Sequence, residues 1–390
     1  MLLALLAACG GSSSGVDPPA PSPAPPPAPA MSREAALGER IFADTSLSAS
    51  RQQSCASCHD PAFGHAQPNA LAAQLGGPAL ADQGSRSSPS IRYLAFGRAF
   101  ALDSGGTPSG GFFWDGRAAS LADQARRPFL NPVEMALADA AELAGRLAQA
   151  PYAAELRSLY GAAVLDRPDD ALDAVARALQ AFQLESPDLR PFSSKYDAVL
   201  RGEASLDAAE ARGLALFNAR DKGACQSCHP SARGADGGFP LFTHFGYHAL
   251  GVPRNPELAA NTDPLHFDLG LCAREGGDLR ARTDLCGFFR TPSLRNVALR
   301  QSLFHNGRFK TLHDAVAFYA RRDTHPEQFY PRAADGRIER FDDLPPALRG
   351  NVPTQEAPYD RRPGDPPVLT DDEVDDVVAF LRTLTDGWRR

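Results

Sequence analysis

The segment SCASCHDP at residues 54–61 contains the pattern Cys-x-x-Cys-His, which recurs in ACQSCHPS at residues 224–231. The pattern is typical of c-type haem attachment, in which two thiols bond to the haem vinyl positions and the histidine binds the iron. Zinc is the main alternative, but each Cys-x-x-Cys pair here has its own histidine. A thioredoxin-like redox pair would need a βαβ setting, which the sequence lacks. We therefore predict two covalent haems, held by Cys55, Cys58, His59, Cys225, Cys228 and His229.

Apolar residues at helical spacing dominate the rest of the chain, and no run of alternating residues convincingly predicts a strand. The last helix is predicted to start at a capping box formed by Thr370 and Glu373. We expect helices at residues 32–42, 139–147, 170–182, 207–217, 311–321 and 370–384. Each haem motif follows one of these helices, so a helix–loop–motif unit repeats at about residues 32–59 and 207–229.

The length of 390 residues is sufficient for two domains with separate cores. The polar stretch SKYDAVLRGEAS places a boundary near residue 200, which gives an N-terminal domain at 32–200 and a C-terminal domain at 201–390. Segments 66–111 and 234–287 are rich in glycine and proline and are expected to be irregular. A net charge of −7, with no basic run carrying interleaved aromatic residues, argues against a nucleic-acid partner.

The N-terminus carries the signs of an export signal. MLLALLAA at residues 1–8 is apolar but too short to span a bilayer as a helix. With Cys9 it resembles the end of a bacterial lipoprotein signal, in which the cysteine is acylated, and an ordinary cleaved signal is the alternative. Residues 9–31 are proline-rich and should form an extended tether. We predict a periplasmic lipoprotein that contacts the membrane only through its lipid.

Cys272 and Cys286 are the two cysteines that neither the haem motifs nor the signal uses. An exported chain meets an oxidising compartment, so we expect these two to form a disulfide rather than remain buried thiols. A disulfide that closes a loop of this length would stabilise the fold by about 3 kcal/mol in the chain-entropy model.

The order of motifs along the chain resembles the bacterial di-haem cytochrome c peroxidase and MauG family. The likeness covers nearly everything from residue 32 onward. Besides the haem motifs, it is carried by LGERIFADTSLS (37–48), FFWDGRAASLADQARRP (112–128), NPVEM (131–135), RTPSLRNVAL (290–299), FHNGRFKTLHDAVAFYA (304–320) and FLRTLTD (380–386). The resemblance implies a mainly α fold of two cytochrome-c-like haem domains packed against each other, with long irregular loops and a haem on either side of the interface.

The resemblance assigns residues to the first haem, whose open face would bind peroxide. Glu134 matches the distal glutamate of the family, which can carry a proton between the peroxide oxygens. Gln124 matches its distal glutamine, and Pro128 would wall the pocket. On the residues alone, the alternative for Glu134 is a helix N-terminus capped by Asn131. His65 is a rival sixth ligand, but it lies so close in sequence to the motif histidine that we expect a surface or loop histidine.

The second haem needs a sixth ligand, for which family members use a methionine or, in MauG-like members, a tyrosine. The methionines are Met1, Met31 and Met135, none of which lies in the C-terminal domain, so methionine ligation is not expected. Tyr319 lies in the segment that matches the tyrosine ligand, although its apolar helix face also suits a core residue. The other candidates are His244, His248, His305 and His313. An anionic phenolate favours higher iron oxidation states than a thioether does.

Further residues follow from the same resemblance. Trp114 matches an aromatic residue between the haems that could relay oxidising equivalents, and a core tryptophan is the alternative. A calcium ion often lies between the haems of the family, held partly by an asparagine. The matching residue here is Ser87, which argues against calcium. The Thr-Ala-Pro-Tyr segment usual in the family is replaced by RQSL at residues 300–303.

Together these features predict an enzyme that reduces hydrogen peroxide at the first haem. Electrons would come through the second haem from an external protein donor, such as a small c-type cytochrome or a cupredoxin. The alternative is a MauG-like oxidase that removes electrons from side chains of a partner protein, which the missing methionine favours. A third hypothesis is a di-haem electron carrier without catalysis, in which both irons would have six ligands.

Overall fold

A computed structural model describes residues 30–389. The predicted signal, the lipidation site at Cys9 and nearly all of the tether lie outside the described residues. Of the described residues, 31–389 form one compact unit. Within the described part of the chain, no helix combines the length and the apolar character needed to cross a bilayer.

The fold is mainly α, and each of the six predicted helices is present within a few residues of its expected ends. Shorter helices add to them, including one that holds the first pair of motif cysteines. In residues 30–389 the helices are α1 (Arg33–Ala43), α2 (Cys55–Cys58), α3 (Leu121–Leu130), α4 (Ala140–Gln149), α5 (Ala153–Tyr160), α6 (Pro168–Glu185), α7 (Lys195–Leu200), α8 (Ala208–Asn218), α9 (Leu312–Arg321) and α10 (Asp371–Arg382).

Strands within the described residues are limited to short antiparallel pairs of two residues each. They are β1 (Leu75–Gly76) with β2 (Asp82–Gln83), β3 (Ala101–Leu102) with β4 (Pro108–Ser109), and β5 (Tyr247–His248) with β6 (Phe289–Arg290). Their registers pair Leu75 with Gln83, Ala101 with Ser109, and Tyr247 with Arg290. These strand pairs connect parts of the long irregular segments, and they do not join into a larger sheet.

Side-chain caps explain where the main helices begin. Ser32 Oγ accepts from the backbone N–H of Ala35 at 3.1 Å at the start of α1. At α10 the predicted capping box is present: Glu373 N–H donates to Thr370 Oγ1 at 3.3 Å, and Thr370 N–H donates to Glu373 Oε2 at 3.0 Å. The caps satisfy backbone donors that helix ends otherwise leave unpaired.

Two large, separate hydrophobic clusters form most of the core of the described residues. The first contains buried residues between Leu37 and Leu189, where α1, α3 and α4 pack on α6. The second contains buried residues between Tyr196 and Leu384, where α8 and α9 pack on α10. We refer to residues 31–193 as the first half and to residues 194–389 as the second half. Each half has a core of its own, and the division into two domains near residue 200 remains a prediction.

The same close helix crossing is built once in each half. Gly38 of α1 lies so near α6 that a Cβ atom would stand 2.0 Å from Ala178 O. Gly213 of α8 lies equally near α10, where a Cβ atom would stand 1.9 Å from Asp376 O. Only glycine allows backbones to approach this closely. The repeat seen in the sequence therefore includes the helix pair that supports each haem motif.

Polar contacts join the two halves. Arg86 donates to both carboxylate oxygens of Asp268, at 2.6 and 2.7 Å, and to Asp115 at 2.7 Å. Burial alone would raise the pKa of Asp268, but the Arg86 guanidinium holds that pKa well below its usual range. Tyr93 OH adds a hydrogen bond to Asp386 at 2.8 Å. The loop that carries Arg86 is thus fixed against the second half.

Candidate functional site

The first Cys-x-x-Cys-His motif lies on and just after α2. His59 N–H donates to Cys55 O at 2.9 Å, which sets the histidine beside the cysteines. His59 Nδ1 lies 3.0 Å from Pro89 O, so this nitrogen donates to a backbone carbonyl and leaves Nε2 for a metal. Burial lowers the pKa of His59 to about 4, so its ring is neutral, the form that ligates iron.

The second motif repeats this arrangement. His229 N–H donates to Cys225 O at 2.8 Å, and His229 Nδ1 lies 2.7 Å from Phe242 O. Burial lowers the pKa of His229 to about 4 as well. Both motif histidines therefore hold one ring nitrogen on a backbone carbonyl and offer the other. The carbonyl acceptors come from Pro89 and Phe242, which sequence reasoning missed because any residue can supply a carbonyl.

The motif cysteines do not form the shared zinc site that the sequence left as an alternative. They are not paired in disulfides. Among residues 30–389, the one cluster of three potential metal ligands comprises Cys228, His244 and His248, and it includes no residue of the first motif. A zinc ion bridging the motifs would need both cysteine pairs at one point.

A cavity of about 430 Å³ adjoins the second motif and reaches residues of the first half. Cys225, Cys228 and His229 line it, as do Pro89 and Trp114. Most of the remaining lining consists of aliphatic and aromatic side chains. An apolar cavity with an available histidine nitrogen and two thiols at its wall suits a flat apolar ring. The residues present therefore fit a covalently attached haem.

Glu134 lies in a turn directly after α3, and the backbone fixes that turn. Met135 N–H donates to Pro128 O at 3.1 Å, which folds the chain back on the helix. Glu134 O accepts from Gly77 N–H at 2.8 Å and from the Gln53 side chain. Gly76 permits this contact, since a Cβ atom there would stand 2.8 Å from Glu134 Cα. Neither Gln53 nor Gly76 carried a signal in the sequence.

The helix N-terminus considered for NPVEM does not form. Residues 132–135 form a turn rather than the start of a helix. Asn131 Oδ1 does accept a hydrogen bond, from Val133 N–H at 3.2 Å, but it caps this turn only. That alternative for Glu134 is therefore wrong, because hydrogen bonds from this turn back to α3 take the place of a new helix.

The Glu134 carboxyl is half-buried and close to the first motif. Burial raises its pKa, and Arg117 and Asn131 offset part of that increase. Burial is the main cause of the raised pKa of the Cys55 and Cys58 thiols, and the Glu134 carboxyl adds to that increase electrostatically. The structure thus brings Glu134 near the first motif. Gln124 and Pro128 are half-buried on α3, the helix that leads into its turn.

Tyr319 lies on α9 beside the second motif. Its side chain lines the cavity, and burial raises its pKa well above the usual value. Both motif cysteines of the second half act electrostatically on it. A second phenol, that of Tyr359, lines the same cavity, and its ring stacks on Tyr319 with the centroids 6.4 Å apart. Sequence reasoning missed Tyr359, which follows a proline in an irregular loop and has no helical pattern around it.

A local repeat relates α3 and α9, together with the residues that precede each helix. Residues 112–130 and 303–321 share a β-bridge, a positive φ at Phe113 (66°) and Phe304 (63°), and then a helix, α3 or α9. When Leu121 is aligned with Leu312 without gaps, Trp114 falls on His305 and Pro128 falls on Tyr319. The residue position that carries a phenol on α9 therefore carries a proline on α3.

Trp114 lies where the two halves meet. Its Nε1–H donates to Ser87 O at 2.8 Å, and its carbonyl accepts from Arg290 N–H at 2.8 Å. Ser87 in turn donates through Oγ to Phe304 O at 2.7 Å. The indole is 7% exposed and lines the cavity. The tryptophan is thus buried, as a core residue would be, and it also contacts both halves.

His65 lies in a loop, which is one of the two expected alternatives. The residue is only 3% exposed, so the other alternative, a surface histidine, is wrong. His65 Nδ1 accepts from Arg92 Nε at 3.2 Å, which holds the ring inside the first half. Burial and the Arg92 charge lower the pKa of His65 to about 4.

The four histidines considered for the second haem occupy different environments. His313 is 44% exposed at its side chain and lies 3.6 Å from Asp375, away from the cavity. His305 stacks on Phe289 with centroids 3.5 Å apart. His248 lines the cavity, with its Nε2 3.3 Å from Cys228 Sγ, and His244 stacks on it.

The remaining sulfur-containing residues are also placed. Met31 and Met135 pack against the core of the first half, so neither reaches the second motif. Met1 lies outside the described residues. Cys272 and Cys286 form a disulfide in the second half, and a small cluster with Tyr247, Leu271 and Leu279 surrounds it. The pairing is the one expected for an exported chain.

The paired motifs, each with a histidine oriented for iron, define a protein that binds two c-type haems. A family model described as di-haem cytochrome c peroxidase matches residues 32–205. The methylamine utilization protein MauG of Paracoccus denitrificans is 39% identical over 363 residues, which cover 90% of this chain and 88% of MauG. The chain belongs to the di-haem cytochrome c peroxidase and MauG family, and it is an oxidoreductase.

Other relatives of the chain include peroxidases. The crystal structure of the diheme peroxidase BthA from Burkholderia thailandensis superposes with a TM-score of 0.84 and 43% identity over 92% of this chain and 87% of BthA. The cytochrome c551 peroxidase of Pseudomonas aeruginosa is 29% identical and covers 72% of this chain and 70% of its own length. The family is periplasmic in bacteria. Membership therefore establishes the type of chemistry but leaves the final electron source open.

Proposed function

We propose that the protein reduces hydrogen peroxide at the first haem, using electrons that an external protein donor delivers through the second. The observation that carries this proposal is the difference at the repeated helix position, which is Pro128 on α3 in the first half and Tyr319 on α9 in the second. A proline side chain has no atom that can bind iron, whereas a phenol has one. When bound, the haem irons supply peroxide binding and electron transfer.

Glu134 is the proton carrier in this proposal. Its carboxylate accepts a proton from one peroxide oxygen and returns it to the other, so that water leaves as the O–O bond breaks. With two electrons from the donor and two protons from solvent, one peroxide gives two waters. The anchored turn supports this role, because Gly77 and Gln53 hold the Glu134 backbone in place near the first motif. Gln124 adds a hydrogen-bond donor on the same side.

Tyr319 is proposed as the sixth ligand of the second haem. Its position in the cavity, its electrostatic contact with Cys225 and Cys228, and the placement of both described methionines in the first half support this assignment. Trp114 is proposed to relay oxidising equivalents between the haems, since it lines the cavity and hydrogen-bonds across the two halves.

A second candidate is oxidation of side chains on a partner protein, as in a MauG-like oxidase. Two observations favour this activity. The cavity beside the second motif offers a phenol instead of a thioether, and MauG of Paracoccus denitrificans is 39% identical over most of both chains. A phenolate stabilises oxidised iron, so the second haem would store electrons poorly and share oxidising equivalents readily.

Steady-state peroxide consumption distinguishes the two candidates. The peroxidase proposal predicts turnover with a reduced small c-type cytochrome or cupredoxin, at a rate that saturates with the donor. Absence of turnover with either donor, together with peroxide-dependent oxidation of tryptophan or tyrosine in an added protein, would contradict it and support the MauG-like activity. The export signal and the family both support a periplasmic site of action, with Cys9 proposed as a lipid anchor.

A further inference from the structure

Arg300 presents a positive charge to the cavity between the halves. Its Nε and Nη2 donate to Ser302 O at 3.2 and 3.0 Å, and Nη2 also lies 3.4 Å from Ser87 Oγ. Among residues 30–389 no carboxylate pairs with it, and Nη1 has no protein acceptor. The side chain lines the cavity that also contains the second motif.

Other arginines near the cavity meet the cost of burial in two ways: Arg290 donates to Gly111 O without a carboxylate partner, and two others have carboxylate partners. Arg86 pairs with Asp268 and Asp115, and Arg295 pairs with Asp197 at 2.7 Å with both side chains fully buried. A buried charge without a partner is costly, so proteins pair such charges or leave them for a ligand. Burial lowers the pKa of Arg300 to about 10, and no carboxylate counteracts this effect.

The surroundings of Arg300 connect it to both motifs. Ser87, which it approaches, accepts the Trp114 indole N–H through its carbonyl and donates to Phe304 O. Burial is the main cause of the lowered pKa of His59, and the Arg300 charge makes a smaller contribution. The guanidinium in the cavity of the second motif therefore also lies within electrostatic range of the first motif.

We propose that Arg300 binds a haem carboxylate in this cavity and is the fixed positive charge between the haems, so that no divalent cation is needed there. Haem carries two carboxylates, and a planar guanidinium with a free Nη1 matches a carboxylate well. Ser87 Oγ is already engaged by Phe304 O and by Arg300, which leaves it poorly suited to bind a cation. The inference rests on the proposed binding of two haems.

A positive charge beside a haem favours the reduced iron, so its removal should lower the reduction potential. We expect Arg300→Gln to reduce the ratio of ferrous to ferric iron at a fixed potential by about tenfold for at least one haem, a shift of about 59 mV. Arg300→Lys retains the charge and should lose less than half of this shift. The exposed Arg33→Gln removes the same formal charge and should leave both potentials unchanged.

Spectroelectrochemistry of the purified holoproteins measures these potentials, and the haem stoichiometry is measured on the same samples. A wild-type protein without covalent haem would contradict the proposed function. Two haems with unchanged potentials in Arg300→Gln would instead contradict the role of Arg300 alone. Loss of haem in Arg300→Gln with retention in Arg300→Lys would support that role. A chelator such as EGTA should leave the wild-type spectrum and potentials unchanged, and an effect would overturn the cation-free arrangement.

Discussion

The two halves of this protein repeat one scaffold and differ at a repeated helix position, which is Pro128 on α3 and Tyr319 on α9. Both have the close glycine crossing, at Gly38 and Gly213, and both hold their histidine Nδ1 on a backbone carbonyl. Beyond that, the first half has Pro128 followed by the Glu134 turn, and the second half has a phenol at Tyr319. Under the proposed function, the shared scaffold attaches the haems, and the side chains that differ between the halves decide the reactivity of each haem.

The strongest test of the difference is the removal of the carboxyl that only the first half provides. We expect Glu134→Gln to slow peroxide cleavage by about 10²- to 10⁴-fold, the usual contribution of a positioned acid–base group. Stopped-flow mixing with peroxide measures this rate. The exposed Glu39→Gln is the matched control and should react normally. An unchanged rate in Glu134→Gln would contradict the proposal that this carboxyl makes the first haem the site of peroxide cleavage.

The pH dependence of the same reaction tests whether Glu134 acts as a base. Burial raises its pKa, so the carboxylate is lost at a higher pH than for an ordinary glutamate near 4.3. We expect the rate of peroxide cleavage to fall about tenfold per pH unit below that raised pKa. In Glu134→Gln this acid limb should be absent. If the rate still fell at low pH in Glu134→Gln, the group responsible for the pH dependence would not be Glu134.

Replacement of the phenol tests the second half. We expect Tyr319→Phe to change the absorption spectrum of the second haem and raise its reduction potential by more than about 59 mV, because a phenolate favours ferric iron. Tyr359→Phe removes the neighbouring phenol and should preserve the ligand. If Tyr359→Phe produced the change and Tyr319→Phe did not, the ligand would be Tyr359.

The disulfide gives the second half a covalent link, and among the described residues the first half has none. We expect Cys272→Ala with Cys286→Ala to lower the free energy of unfolding by about 3 kcal/mol, given the short loop that the bond closes. Denaturant unfolding of the holoprotein measures the change. Peroxide cleavage should stay within about twofold of wild type, and a larger loss would show that this loop supports the active site.

Much of the architecture was predictable because its signals are local. The Cys-x-x-Cys-His motifs, the caps at Ser32 and Thr370 and the apolar periodicity of the helices all act over a few residues. The disulfide followed from the compartment and from the count of cysteines. The motif order then supplied the family.

What escaped prediction depends on contacts between distant segments. His65 is buried because Arg92 holds it, and Glu134 sits in a turn that Gly77 and Gln53 fix from far along the chain. Tyr359 lines the cavity beside the second motif from a loop whose apolar residues have no helical spacing. Contacts between distant segments produce no regular residue spacing, so they could not be predicted from a single sequence.

The central claim is that one haem keeps an open face and the other does not. Electron paramagnetic resonance of the ferric holoprotein, before and after one cycle of reduction and reoxidation, tests it most directly. We predict one high-spin haem, from the iron beside Pro128, and one low-spin haem, from the iron beside Tyr319. Two low-spin haems under both conditions would contradict the claim and favour a di-haem electron carrier without catalysis.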